Sequence, residues 1–179
     1  MKFFSLEQPR TKRSRATRIC IGKAIVSLME EIPFDQIRVT DIVRRAGVSR
    51  MTYYKYYTSK LDALSDFLDE IVLEYDEEQK GLPSPAFFEK AHIYHAICFF
   101  ERCSPLFLTL VHAGQYTVLA HAISHYTDQY ILPATGQSGY APYYYVGGFI
   151  NVFFKWLEDG KQESCEELAE IIWQMISRR

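Results

Sequence analysis

Basic and aromatic side chains are concentrated in residues 39–60, where one glycine interrupts a helical pattern. Behind Gly47 come four tyrosines and the basic residues Arg50, Lys55 and Lys60. Arg and Lys neutralise phosphates, and a tyrosine can pack its ring while its hydroxyl reaches a phosphate oxygen. This combination predicts contact with a polyanion.

The distribution of charge along the chain supports the same prediction. Residues 1–60 hold 13 Lys and Arg against 5 Asp and Glu, a net charge of +8, whereas residues 61–179 hold 7 against 17, a net charge of −10. Such asymmetry suggests that the N-terminal part meets a polyanion and that the acidic remainder does not. Composition alone leaves a solvated basic face as the alternative.

The composition is that of an ordinary globular protein, with 179 residues of which 48% are hydrophobic and 23% are charged. No run of about 18 apolar residues occurs, so we expect no membrane-spanning helix. The N-terminus lacks the apolar stretch of a secretory signal, which favours a cytoplasmic location. Four cysteines without a CxxC pair or a metal-finger spacing predict reduced, mostly buried thiols.

Apolar residues recur at steps of three and four along most of the chain, which predicts an all-α fold of about nine helices. A first amphipathic helix is expected over residues 13–31 and should end before Pro33. The side chains of Thr40, Ser49 and Ser59 are expected to cap the next three helices. Gly47 permits the left-handed backbone of the tight turn between the second and third helices.

The later helices are predicted from the same capping and breaking signals. The expected features are openings at Ser84-Pro85 and Ser104-Pro105, a helix over 116–132 stopped by Pro133, a surface loop over 133–139, a helix over 142–158, and a last helix over 165–177 begun by a Ser164–Glu167 capping box.

Two short helices joined at a glycine fit the helix-turn-helix, whose second helix lies in the major groove of DNA. In that arrangement Val48, Tyr53 and Tyr57 would hold the third helix against the second and the first. The alternative is an αα-hairpin with an aromatic core and solvated arginines, because such short motifs also occur outside DNA-binding proteins.

A family resemblance comes from the stretch VTDIVRRAGVSRMTYYKYYTSKLDAL, which is preceded by IGKAIVSLMEEIPFDQI. Over about residues 15–64 the chain resembles the DNA-binding domain of the TetR/AcrR family of bacterial transcriptional regulators. The resemblance implies a homodimer that reads a near-palindromic operator, and a divergent C-terminal domain that often binds a small ligand and then releases the DNA. Met51, Val43 and Thr58 depart from the common pattern, so the helix angle and operator preference cannot be transferred.

Two domains follow from this resemblance. Residues 1–60 would form a basic tail and a three-helix DNA-binding domain, and residues 61–179 a helical regulatory and dimerisation domain, with residues 61–78 as the connecting helix. The most direct functional prediction is a repressor that a small apolar or aromatic ligand releases from double-stranded DNA.

The predicted DNA-binding residues lie at the start of the second helix, along the third and at the start of the fourth. They are Thr40, Ser49, Arg50, Thr52, Tyr53, Tyr54, Lys55, Tyr56 and Lys60. Carried over by position, Arg50, Lys55 and Tyr56 would read bases or backbone. Lys60 would meet a phosphate beside the amides of the fourth helix.

The last two helices resemble the pair through which this family dimerises. The predicted interface residues are Val146, Phe149, Ile150, Phe153, Leu157, Leu168, Ile172 and Met175. Gly147 and Gly148 lower helix propensity, which would be explained if helices approach closely there. The same apolar stripes could instead cover the core of their own subunit.

A ligand pocket is predicted from aromatic and polar side chains of the middle and eighth helices. They are Tyr94, His95, Phe99, Phe107, His112, Tyr116 and Tyr144. These aromatics could equally fill the core. In that case a protein partner would control the regulator in place of a ligand, and the regulator could be an activator.

The histidines raise a rival class, an enzyme or a metal sensor. His92 and His95 are three residues apart, and His121 and His125 are four apart, so each pair could share a helical face and bind zinc. No HExxH motif, paired catalytic carboxylates, nucleophile motif or phosphate-binding glycine loop accompanies them. We therefore expect no enzyme activity, no cofactor and no metal.

Overall fold

The computed structural model describes residues 12–81, 89–135 and 139–177. Within these ranges the backbone is helical and contains no strand, which confirms the all-α prediction. The helices are α1 (Lys12–Met29), α2 (Val39–Ala46), α3 (Arg50–Tyr56), α4 (Lys60–Gln79), α5 (Lys90–Arg102), α6 (Ser104–His112), α7 (Tyr116–Tyr126), α8 (Leu132–Thr135), α9 (Ala141–Glu158) and α10 (Cys165–Ser177).

Two irregular turns complete the helical backbone. A short 3₁₀ helix (Phe34–Gln36) follows α1, and a π-helical turn (Thr127–Ile131) joins α7 to α8 in one continuous stretch. Pro133 therefore does not stop this helix, contrary to expectation. It follows the π-helical turn closely, so the missing N–H of the proline falls where the regular bonding of the α-helix is already interrupted.

The local capping signals of the sequence are confirmed for two helices of the N-terminal half. Ser49 Oγ accepts a hydrogen bond from the backbone N–H of Thr52 at 3.0 Å. Ser59 Oγ accepts from the Asp62 N–H at 3.1 Å, and the Asp62 carboxylate accepts from the Ser59 N–H at 2.9 Å. Each bond satisfies a backbone donor that the first helical turn leaves without a partner.

The cap predicted for α2 is wrong. The helix begins at Val39, so Thr40 lies inside its first turn and Arg38 occupies the N-cap position. The carboxylate of Asp41 accepts a hydrogen bond from the Arg38 N–H at 3.3 Å, so the helix is capped two residues earlier than expected.

Some of the helix caps and starts predicted for the second half of the chain are found in the structure. Ser164 Oγ accepts from the Glu167 N–H at 3.2 Å, and the Glu167 carboxylate accepts from the Ser164 N–H at 2.8 Å, so the capping box of α10 is confirmed. The predicted helix opening at Ser84 lies outside the described residues, and the helix described after it, α5, begins at Lys90. No helix of the described chain is both long enough and apolar enough to cross a membrane.

Contacts divide the described residues into two compact units. The first unit holds residues 12–73 and 106–119, and the second holds the described residues from 74 to 105 and from 120 to 177. The first part of α4 belongs with the first unit because its side chains pack on α1. A Cβ placed on Gly22 would lie 2.3 Å from Cγ of Phe67, so only glycine allows α1 to approach α4 this closely.

The core of the first unit is built from the inward faces of α1 to α4. Fully buried side chains from each of these helices meet there, namely Ile21, Ile25, Ile42, Tyr53 and Leu64. This burial fixes how α3 is rotated, and so which of its side chains face solvent.

The core of the second unit is largely aromatic. The ring of Tyr75 lies 5.1 Å from both Phe99 and Phe100, and Phe100 lies 6.2 Å from Phe149 and 6.3 Å from Phe153, between centroids. Tilted and edge-on rings at these distances are favourable. The aromatic residues of α5 and α9 therefore hold this unit together.

Candidate functional site

The turn between α2 and α3 depends on the backbone freedom of Gly47. Its φ of 67° lies in the left-handed region, and a Cβ there would meet nothing within 4 Å. The N–H of Val48 donates to the carbonyl of Val43 at 3.0 Å, which closes the turn. Glycine is needed here for conformation and not for space.

The buried side of α3 is anchored by two tyrosines. Tyr53 and Tyr57 are 0% and 1% exposed, and their ring centroids lie 5.7 Å apart. Tyr57 Oη donates to Oδ2 of Asp66 in α4 at 2.6 Å. The prediction that these two rings hold the helix is confirmed. Tyr53 therefore has no surface for DNA, and its place among the predicted DNA-binding residues is corrected.

A buried charge network ties α1, α3 and α4 together around these rings. Arg18 Nη1 lies 3.4 Å from Asp66 Oδ1, and the Arg18 guanidinium lies 5.3 Å and 5.9 Å from the ring centroids of Tyr56 and Tyr57. Asp66 is only 1% exposed. Since a buried charge without its partner is strongly destabilising, this network holds α3 in one orientation on α1 and α4.

The exposed face of α3 consists of Arg50, Met51, Tyr54 and Lys55, which we call the α3 face. Met51 is 85% exposed and Tyr54 is 52% exposed, and the two basic residues are exposed beside them. Steps of one, four and five residues place all of these side chains on one side of the helix. The face combines two cations with two large side chains that can contact bases.

Met51 had been noted only as a departure from the family pattern. It is more exposed than Tyr54 and lies on the side of α3 away from the buried rings of Tyr53 and Tyr57. Helical spacing from those two tyrosines would have identified it, because the side opposite a buried pair must face solvent.

The remaining predicted residues lie around the α3 face. Ser49 and Thr52 bond each other, with 2.9 Å between Ser49 Oγ and Thr52 Oγ1, and so cap the helix. Thr40 is exposed in the first turn of α2, and Tyr56 is half-buried beside Arg18.

Lys60 differs from the expectation of a phosphate contact. Its Nζ donates to the carbonyls of Phe34, Asp35 and Ile37 at 2.5, 2.9 and 3.0 Å, and it lies 4.8 Å from the Phe34 ring centroid. Because an ammonium group has three protons, these bonds use all of its donors. In this conformation Lys60 fastens the 34–37 segment to the start of α4.

The seven predicted pocket residues do not form one site in either unit. Phe107, His112 and Tyr116 belong to the first unit, and Tyr94, His95, Phe99 and Tyr144 to the second. Tyr94, Tyr116 and Tyr144 are exposed, and Phe99 and Phe107 are buried in packed cores. These five aromatic side chains therefore belong to the core or to the surface of their own units.

An open cavity of about 710 Å³ does occur in the first unit. Its walls come from the end of α1, the 33–35 segment and the end of α6, and the lining residues are Met29, Glu30, Pro33, Phe34, Asp35, Thr109, His112, Ala113 and Gln115. Of the predicted pocket residues, His112 lies here. Apolar walls with two carboxylates and a histidine suit a ligand with an apolar body and a donor or cationic group.

The predicted dimer residues divide into buried and accessible groups. Phe153, Leu157, Leu168 and Ile172 are buried in the core of the second unit. Val146, Phe149 and Ile150 are half-buried, and Met175 is 64% exposed. Gly147 and Gly148 make no close approach within the described chain, because a Cβ on either would meet nothing within 4 Å.

The histidine pairs show no metal-binding arrangement in the part of the chain that is described. No group of three or more His, Cys, Asp or Glu side chains there is close enough to hold a metal ion. His92 instead lies beside Tyr75 and Gln79, with its Nε2 3.1 Å from Tyr75 Oη and 3.3 Å from Gln79 Nε2.

Comparison with known proteins adds independent information. Residues 90–178 match a TetR-type family model described as the C-terminal region of a transcriptional regulator. The HTH-type transcriptional regulator EthR of Mycobacterium tuberculosis is 40% identical over 50 residues, which are 28% of this chain and 23% of EthR. EthR of Mycobacterium bovis gives the same values.

A further relative is the HTH-type dhaKLM operon transcriptional activator DhaS of Lactococcus lactis subsp. lactis. It is 37% identical over 54 residues, which are 30% of this chain and 29% of DhaS. The chain spans between a fifth and a third of the length of the curated relatives it matches.

Proposed function

We propose, from the premise that this chain belongs to the TetR family of transcriptional regulators, that it binds duplex DNA through the α3 face. The observation that carries the proposal is the division of α3 between a buried and an exposed side. Tyr53 and Tyr57 fix the helix on the core, and Arg50, Met51, Tyr54 and Lys55 face solvent beyond them. A rigidly held helix with exposed cations suits insertion into the major groove.

The DNA is proposed to be a near-palindromic operator read by a homodimer in the cytoplasm. Two identical recognition helices related by a two-fold axis require half-sites about one helical turn apart. Selection of bound duplexes from random DNA tests this directly. We expect enrichment of a two-fold symmetric sequence. The slope of log binding constant against log salt concentration should be about −5, which corresponds to about six phosphates neutralised per dimer. Failure to enrich any sequence, with binding that ignores salt, contradicts the proposal.

Dimerisation is proposed to use the accessible sides of α9 and α10. On α9, Gly147, Ile150 and Phe154 recur at steps of three and four, and on α10 Ile171 and Met175 are exposed. Each of the two glycines in the middle of α9 costs about 1 kcal/mol relative to alanine. Packing within the described chain does not require glycine at either position, so we propose that a second copy approaches α9 closely there.

Control by a small ligand is proposed to act through the cavity of the first unit. Phe34 and Asp35 line that cavity, and their carbonyls accept the hydrogen bonds from Lys60. A ligand that displaced this segment would therefore disturb the start of α4, which directly follows α3. It would lower operator affinity only if it bound the DNA-incompetent arrangement more tightly.

The experiment for this part is a DNA-binding titration with aromatic compounds that carry a cationic or hydrogen-bond-donating group. Ala113→Trp should fill the cavity and remove the effect of such a compound while operator binding persists. Tyr144→Trp, at an exposed position of the other unit, is the matched control and should change nothing.

A second candidate is a regulator controlled by a protein partner, including an activator. It is favoured by the close packing of Phe99 against Tyr75 and Phe100, at 5.1 and 5.4 Å between ring centroids, where a ligand pocket had been predicted. The name of DhaS as an activator is consistent with it. If no compound alters operator affinity and Ala113→Trp is neutral, this candidate replaces ligand control.

A further inference from the structure

A chain of hydrogen-bonded side chains connects α5 with the start of α10, and the proposed function does not use it. Cys98 lies close enough to Tyr94 and to Cys165 to raise the pKa of both side chains. Cys165 Sγ donates to Oε2 of Glu101 at 3.5 Å, and Oε1 of Glu101 accepts from Lys161 Nζ at 2.9 Å. All five residues belong to the second unit.

The geometry follows from the register of the two helices. Tyr94, Cys98 and Glu101 are spaced by four and three residues and so share one face of α5. Cys165 is the first residue of α10 and lies against that face. The two free thiols, Cys98 and Cys165, therefore lie on facing helix surfaces, and a disulfide requires that they approach to the S–S distance of about 2.05 Å.

Solvent can reach this group of side chains at its Tyr94 end. Both thiols are half-buried rather than buried, contrary to the expectation from sequence, and the Tyr94 side chain beside Cys98 is exposed. A small oxidant can therefore reach Cys98.

We propose that Cys98 and Cys165 form a peroxide-responsive thiol pair that closes to a disulfide between α5 and α10. Hydrogen peroxide transfers one oxygen to the Cys98 sulphur, which becomes a sulfenic acid while water is released. The Cys165 sulphur then attacks the Cys98 sulphur. Its proton passes through Glu101 to the leaving hydroxide, so the second step forms the S–S bond and releases a second water.

The electrostatics of the cluster assign the two roles. Burial, with Cys98 and the Glu101 carboxylate beside it, raises the pKa of Cys165 to about 12. Cys165 is therefore a neutral thiol at pH 7 and a poor first target for peroxide, since the thiolate is the reactive form. The bond from Lys161 lowers the pKa of Glu101, so this carboxylate stays ionised and accepts the hydrogen bond of the Cys165 thiol until the proton moves on to the leaving hydroxide.

The test treats reduced, full-length protein with hydrogen peroxide, blocks free thiols with an alkylating agent and maps the products by peptide mass spectrometry. We expect a Cys98–Cys165 crosslink that a dithiol reductant reverses, formed before the exposed thiol of Cys20 is oxidised. In Cys165→Ser, a sulfenic acid on Cys98 should accumulate and be trapped by a dione reagent. Glu101→Gln should slow closure of the crosslink without slowing the loss of the Cys98 thiol.

Cys20→Ser and Cys103→Ser are the matched controls and should form the same crosslink as the parent. Oxidation that begins at Cys20, a sulfenic acid found on Cys165, or crosslinks that join separate chains through Cys20 would overturn the proposal. The readout is covalent and does not involve DNA, so it succeeds or fails independently of the proposed operator binding.

Discussion

The hydroxyl of Tyr57, at the end of α3, donates to the buried carboxylate of Asp66 in α4, with 2.6 Å between Tyr57 Oη and Asp66 Oδ2. Arg18 of α1 approaches the other carboxylate oxygen at 3.4 Å. Three helices thus converge on one carboxylate directly behind the α3 face. The orientation of the proposed recognition helix depends on this contact.

Tyr57→Phe removes that hydrogen bond while the ring is kept. Because the acceptor is a buried carboxylate, we expect the free energy of unfolding to fall by about 2 kcal/mol. Denaturant unfolding measures the change. Tyr54→Phe, at an exposed position of the same helix, is the control and should alter stability by less than about 0.5 kcal/mol. Equal effects of the two substitutions would show that the bond to Asp66 does not anchor α3.

Lys60→Met tests whether Lys60 fastens the 34–37 segment or contacts phosphate. Loss of three hydrogen bonds to backbone carbonyls should lower stability by about 1–3 kcal/mol. The slope of log binding constant against log salt concentration should stay unchanged. Lys55→Met on the α3 face should instead reduce that slope by about 1–2 per dimer and leave stability nearly unaffected. A reduced slope for Lys60→Met would show instead that Lys60 contacts phosphate, as the sequence predicted.

Local features of this fold follow from the sequence because their causes are local. The left-handed turn at Gly47 and the caps at Ser49, Ser59 and Ser164 each involve residues no more than five positions apart. Short-range hydrogen bonds of this kind depend on residue type and spacing alone.

Contacts between distant segments could not be predicted from the sequence in this way. Lys60 bonds carbonyls 23 to 26 residues earlier in the chain, and nothing in its spacing indicates this. Tyr53 and Tyr54 are neighbours of identical type, yet one is buried and the other exposed because the core of the first unit sets the rotation of α3. Whether an aromatic residue such as Phe99 fills the core or lies exposed like Tyr144 is likewise set by packing that residue type does not reveal.

Met175→Glu tests the proposed dimer. Met175 is 64% exposed in the single chain, so a charge there should leave the fold intact and separate the dimer into monomers. Phe153→Glu or Ile172→Glu cannot serve, because both side chains are buried and the expected result is unfolding. Trp173→Glu, on the other edge of α10, is the control. Sedimentation velocity that finds Met175→Glu dimeric and Trp173→Glu monomeric would contradict the assigned face.

The last prediction concerns His92 and pH. Gln79 Nε2 is an amide donor and lies 3.3 Å from His92 Nε2, so that ring nitrogen is the acceptor and the imidazole is neutral. Burial, with a smaller contribution from His95, lowers the pKa of His92 from 6.5 to about 4.

The sign of the effect on stability follows from proton binding. Between about pH 6.5 and about pH 4 the unfolded chain binds a proton at residue 92 that the folded chain does not, so acidification favours unfolding. We expect the free energy of unfolding to fall by up to about 3 kcal/mol across this window. His92→Gln, compared over the same pH range by denaturant unfolding, should flatten this part of the profile even if it is less stable at neutral pH. His121→Gln, at an exposed position of α7, should keep the parent slope. If His92→Gln keeps it as well, the acid sensitivity belongs to other groups and His92 has no part in it.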